Sequence, residues 1–104
     1  YTRAEKQGHA ALALQPRDGW AWHAVAHVHE MRNDPRAGIA WLAPNAATWA
    51  EGSFFAGHNW WHLALFNLEL GRTGEVLRLY DETIGGPGSS VVLDLVDQSA
   101  LLWR

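Results

Sequence analysis

The sequence contains no cysteine among its 104 residues. A disulfide framework and a thiolate zinc site are therefore both excluded, and any bound metal would need nitrogen and oxygen ligands. Basic residues are also scarce, because 8 Lys and Arg stand against 11 Asp and Glu, for a net charge of -3. Without a positive surface to meet a phosphate backbone, nucleic acid is not expected as a partner.

Long apolar runs are missing as well. No stretch approaches the ~20 residues that a membrane span needs, and the opening segment from Tyr1 to Lys6 lacks the pattern of a signal peptide. We therefore expect a cytoplasmic chain that does not enter a membrane. The chain does not begin with Met, and its last residues, Leu101 to Arg104, include no capping residue, so we expect an excerpt from a longer protein.

What the chain does contain is an internal repeat. WHAVAHVHEMRND begins at Trp22 and WWHLALFNLELGR begins at Trp60. Each segment continues from its Trp with apolar residues at helical spacing, and each reaches a turn, at Asn33-Asp34 or Gly71-Arg72, before a second amphipathic segment. This pattern predicts a repeated pair of helices.

Capping signals set the expected helix boundaries. Asp18 suits an N-cap, and Asp34-Pro35 places proline at a first helical position, where its missing donor is harmless. We predict helices near residues 4–14, 18–32, 35–43, 55–70, 73–84 and 90–103, with a longer loop over 44–57. A single helical domain then comprises the second helix of a preceding repeat over 1–17, repeats over 18–51 and 52–88, and the first helix of a following repeat over 89–104.

The repeat resembles the tetratricopeptide repeat, which has helix pairs of ~34 residues. The positions similar to its consensus are Trp22, Val25, Ala26, Gly38 and Leu42, then Trp60, Leu63, Ala64, Leu70, Gly71 and Tyr80. Three blocks are more specific: AVAHV with EM from Ala24, GHNWWHLAL from Gly57, and VLDLVD from Val92 with the closing LLWR. They resemble the tetratricopeptide repeat protein 38 family. That resemblance implies an all-α, right-handed solenoid of antiparallel helix pairs, part of a longer array, and it implies no defined activity.

Four of the six histidines recur at the spacing of one helical turn. His23 and His27 share a helix face with Glu30, and the next first helix repeats the arrangement. The repeated set is His58, His62 and Glu69. First helices of adjacent tetratricopeptide repeats line one concave groove, so we expect the four imidazoles to converge.

Three interpretations of these residues stay open. The histidines could fill helix seams as ordinary packing. They could instead line a groove that binds a protein, a peptide or a small ligand, which is what such repeats mostly do. The residues of that groove would be His23, His27, Glu30, His58, Asn59, Trp61, His62 and Glu69. The sequence defines no oligomeric state.

The third interpretation is a metal-dependent enzyme, hydrolase-like, in the same groove. Imidazole and carboxylate ligands suit Zn, Mn, Fe or Ni, and an i, i+4 histidine pair can bind one ion from a single helix face. The expected ligands are His27, His58, His62, Asp94 and Asp97, with Glu30 or Glu69 as a general base. No cofactor is certain from the sequence, and a divalent metal is the one it allows.

Tryptophan is abundant, with 7 residues. Trp22 and Trp60 occupy equivalent repeat positions and are predicted to lie in the core. Trp61 is rotated toward the groove. Trp49 lies in or beside the expected long loop, either over the groove mouth or fastening the loop down.

Overall fold

The structure is a computed structural model that describes residues 1–85, 88 and 90–104. This part of the chain folds into helices and turns without a strand, which confirms the all-α prediction. The α-helices are α1 (Thr2–Leu14), α2 (Gly19–Met31), α3 (Pro35–Leu42), the single turn α4 (Ala46–Trp49), α5 (Ala56–Glu69), α6 (Thr73–Leu79) and α7 (Val92–Trp103). The boundary predicted between 88 and 89 lies partly outside the described residues.

The predicted capping signals are seen at the start of α2 and α3. The Asp18 carboxylate accepts hydrogen bonds from the backbone N–H groups of Trp20 and Ala21, and the Asp34 carboxylate accepts one from Ala37. Such caps satisfy donors that the first helical turn leaves without partners. The turn after α5 passes through Gly71 at φ 70°, a left-handed conformation that glycine adopts without steric cost.

The stretch expected as a long loop over 44–57 is partly helical. A 3-10 turn over Ala43–Asn45 leads into α4, which ends at Trp49. Trp49 is fully buried, and its indole N–H donates to the Leu42 carbonyl oxygen at 2.9 Å. The segment therefore folds back onto the helix that precedes it. A single helical turn is unstable on its own, and burial of the large indole compensates for this.

The core lies between α2, α3, α5 and α6. α2 packs against α1, α3 and α5, and α5 packs against α2, α3, α6 and α7. Trp22 is buried as predicted, and Trp60 packs at the edge of the core, with its ring 4.6 Å from that of Trp49. The contact between α2 and α5 brings their histidine-bearing faces together.

α7 is held by a small number of contacts. α6 continues into one wide π-helical turn, Tyr80–Ile84, and the Gln98 side-chain amide donates to the Ile84 carbonyl oxygen at 3.0 Å. Leu101 is buried against the core, whereas Val92 and Trp103 are largely exposed. Across the described residues, every helix is too short or too polar to cross a membrane.

α3 and α5 approach closely at Gly38, which supports a stability prediction. A Cβ atom added there would lie 2.4 Å from the buried Phe66 ring, so Gly38→Ala forces either that ring or the helices to shift in a packed core. We expect a loss of about 1 to 3 kcal/mol in the free energy of unfolding, measured by urea denaturation. Gly74→Ala is the control, since its Cβ meets open space in α6 and should be neutral or stabilising. Equal stabilities for the two variants would contradict the close approach.

Candidate metal centre

Four imidazoles converge between α2 and α5. His23 and His27 come from α2, His58 and His62 come from α5, and one ring nitrogen of each lies within 4.8 Å of the others. The convergence expected from the repeat is thus confirmed. It arises because four-residue spacing puts each pair on one helix face and the two helices pack side by side.

His62 is the most enclosed member of the cluster. Its side chain is fully buried, and its Nδ1 lies 3.0 Å from Glu30 Oε2, off the direction of a good N–H hydrogen bond. Its Nε2 has no hydrogen-bond partner, and the buried Nε2 of His23 has none either. Leaving such a buried polar atom unsatisfied costs about 1 to 3 kcal/mol, so the centre of the cluster is chemically suited to a guest that bonds to nitrogen.

His58 is oriented by a carboxylate from α7. Its Nδ1 lies 2.7 Å from Asp97 Oδ2, and Asp97 is itself buried. The contact assigns the ring proton to Nδ1, which leaves the Nε2 lone pair available to an ion. Asp97 was expected as a direct ligand. The structure places its carboxylate against Nδ1 of His58, outside the four converging nitrogens, in the arrangement by which carboxylates commonly orient metal-binding histidines.

Asp94, the other carboxylate of the expected ligand set, does not belong to the group of converging ligand atoms among the described residues. It lines a cavity of about 210 Å³ together with Ser53, Thr83 and Asp97. A Cβ atom on Gly57 would lie 3.3 Å from its Oδ1, so Asp94 reaches the start of α5. Its place is therefore at the α5–α7 contact, beside the cluster.

Burial keeps the α2 imidazoles neutral. Desolvation, and then the proximity of His62, His27 and His58, lower the pKa of His23 to about 3. Burial followed by the proximity of His62 lowers the pKa of His27 too. The polar contact with His62 at 3.0 Å is the main reason that the pKa of Glu30 is lowered. Neutral imidazoles beside an ionised carboxylate are the protonation states that a cation requires.

The remaining residues of the expected groove have different positions. Asn59 is fully buried, and its amide donates to the Gly19 carbonyl oxygen at 3.2 Å. Trp61 stacks on His58 with ring centres 5.3 Å apart, and its indole nitrogen is buried. Glu69 is exposed and lines a small cleft with Glu30. The solvent-exposed edge of the cluster is formed by His27 and Glu30, whose side chains are 49% and 36% exposed.

The cluster fits a single transition-metal ion. Tetrahedral bonds of 2.0 to 2.1 Å place ligand nitrogens about 3.4 Å apart. The longest separation here is 4.8 Å, so the rings would close in by about 1.4 Å at most. Glu30 and Asp97 supply two negative charges beside the nitrogens, which would balance the charge of a divalent ion.

His23 is the residue that the expected ligand set omitted. It lies one turn before His27, and its ring centre is 4.9 Å from that of His58 and 5.0 Å from that of His62. The i, i+4 rule that selected the α5 pair selects it equally. Comparison with known proteins finds no matching family model and no matching solved structure. The functional argument therefore rests on the site itself.

Proposed function

We propose that this protein binds one divalent transition-metal ion through the imidazoles of His23, His27, His58 and His62. The observation that carries the proposal is the convergence of four imidazole nitrogens within 4.8 Å, with the buried Nε2 atoms of His23 and His62 lacking a partner. Packing alone would favour hydrogen-bonded partners for those nitrogens. An all-nitrogen ligand set favours Zn, Ni, Cu or Fe(II) over Mg and Ca, which prefer oxygen.

Metal uptake tests this function directly. Chelator-treated protein titrated with Zn²⁺ by isothermal calorimetry should bind one ion per chain, and elemental analysis should return the same ratio. His62→Ala and the less buried His23→Ala should both lose most of this affinity, because each removes a ligand. His9→Ala is the matched control, since His9 is exposed on α1, outside the cluster.

Two results would contradict the proposal. One is the absence of Zn²⁺ uptake by the folded wild-type protein. The other is an unchanged affinity in both ligand variants, with circular dichroism confirming that each is helical. If His62→Ala loses its helicity and His23→Ala does not, the Zn²⁺ affinity of His23→Ala tests the proposal.

We also propose that the helices stack as tetratricopeptide-type pairs. The packing order supports this. α2 and α3 form one pair, α5 and α6 form the next, and α2, α5 and α7 follow one another as first helices would. α1 packs on α2 in the position of a preceding second helix.

Binding of a protein or peptide partner is the second candidate function. It is favoured by two exposed aromatic rings: Trp20 is 64% exposed, and Phe54, which lines the cavity beside Asp97, is 74% exposed. The Trp20 ring lies 6.1 Å from that of His23. A displayed peptide library selected on the wild-type protein, with counter-selection on a Trp20→Ala, Phe54→Ala double variant, tests it. Failure to enrich any peptide would argue against this function.

A further inference from the structure

The four histidines differ in their exposure to solvent. The side chain of His62 is 0% exposed and that of His58 is 16% exposed, whereas that of His27 is 49% exposed. His23 is half-buried, and its Nε2 is inaccessible. The ligand nitrogens of His23 and His62 are therefore enclosed, the His58 side chain is largely buried, and the His27 ring lies at the edge of the cluster next to solvent.

The histidines also differ in how firmly they are oriented. Asp97 fixes His58 at 2.7 Å, and Glu30 contacts His62 at 3.0 Å. His23 is surrounded by rings, with that of Phe55 at 4.7 Å. For His27 the nearest carboxylate contact, to Glu30 Oε2, is 3.8 Å, longer than a hydrogen bond. Among the described residues its ring is positioned by contacts with the rings of His23 and His62, whose centres lie 4.4 and 4.5 Å away, and not by a hydrogen bond.

From these differences we infer that the metal site is open: His23, His58 and His62 hold the ion, and His27 occupies a fourth position that a small ligand can take. The ligands that suit this position are water and small anions with an oxygen or nitrogen donor, such as a carboxylate, a hydroxamate or azide. Three protein ligands with one exchangeable position distinguish catalytic zinc sites from structural ones, which keep all four ligands. This inference rests on the proposed metal binding.

Glu30 supports the same arrangement. Its side chain is 36% exposed at the edge where His27 lies, and its buried Oε2 lies 3.0 Å from His62 Nδ1 and 3.8 Å from His27 Nδ1. A water molecule in place of the His27 ring would have this carboxylate as a hydrogen-bond acceptor. The exchangeable position therefore has both an entrance and a neighbouring polar group.

Cobalt substitution tests the inference without an activity assay. Chelator-treated protein is loaded with one equivalent of Co²⁺, and its visible spectrum is followed while azide or acetohydroxamate is added. We expect a saturable spectral change in the wild-type protein. His27→Ala should keep Co²⁺ with an affinity within about tenfold of wild type and should bind azide more tightly, because no side chain competes. His29→Ala, on the same helix but outside the cluster, is the control.

Two outcomes overturn the open site. In the first, the Co²⁺ spectrum does not respond to either anion. In the second, His27→Ala loses Co²⁺ as completely as His62→Ala does, which would make the four histidines equivalent. Both leave metal binding itself intact. If the wild-type protein binds no Co²⁺ at all, the proposed function fails and the open site fails with it.

Discussion

Replacing Trp49 with alanine should lower the free energy of unfolding by about 3 to 5 kcal/mol, which is a large part of the stability of a domain this size. The side chain is fully buried, and its ring packs edge-on against Trp60. Truncation removes that contact and leaves a cavity. It also removes the donor to the Leu42 carbonyl oxygen. Urea denaturation followed by circular dichroism measures the loss.

Two variants separate the contributions to this effect. Trp49→Phe keeps most of the apolar volume but loses the hydrogen bond, so its cost should fall well below that of alanine. Trp103→Ala is the matched control, because that residue is 90% exposed and its truncation should change stability by less than about 0.5 kcal/mol. If Trp49→Ala were as mild as Trp103→Ala, α4 would not belong to the core.

The helices could be predicted because their signals are local. Asp18 and the Asp34-Pro35 pair mark helix starts by capping chemistry, and the Trp22 and Trp60 segments show helical periodicity. α4 could not be predicted in this way. Its single turn is stable only because Trp49 reaches the core, and that contact depends on how α3 and α5 are placed in three dimensions.

The histidine cluster was predictable for a related reason. Helical periodicity fixes which residues share a face, and the expected repeat predicts that the faces of α2 and α5 are neighbours. The role of Asp97 could not be predicted, because its contact with His58 joins residues 39 positions apart. The position of Asn59 could not be predicted either. Its partner is the backbone carbonyl of Gly19, and a backbone acceptor has no signature in the sequence.

Sequence and structure together favour a site built for neutral imidazoles. The absence of cysteine leaves nitrogen and oxygen as ligands. Burial lowers the pKa of His23 and His27, and the two orienting carboxylates, Glu30 and Asp97, come from different helices. One of these helices is α7, so the site links it to α5 through the His58–Asp97 contact. Metal binding and the docking of α7 should therefore reinforce each other, since His58 takes part in both.

Zinc should stabilise the fold by about 4 kcal/mol when its free concentration is a thousand times its dissociation constant at pH 7.5. This gain should shrink as the pH falls toward 3, because His23 must be neutral to bind the ion and burial lowers its pKa to about 3 in the fold. Urea denaturation with and without Zn²⁺ at pH 7.5, 5 and 3.5 measures the gain. A gain that persists unchanged at pH 3.5 would show that Zn²⁺ binds elsewhere.

The metal-free protein should itself become less stable as the pH falls from 6.5 toward 3. His23 has an ordinary pKa of 6.5 in the unfolded chain, whereas burial and the neighbouring His62, His27 and His58 lower its pKa to about 3 in the fold, against a smaller opposing effect of Glu30. Between these values the unfolded chain binds more protons, so stability is full above pH 6.5 and falls as the pH decreases toward 3. His23→Gln removes this titration and should reduce the slope, whereas His9→Gln should not. Equal slopes in the two variants would show that protons act at other groups.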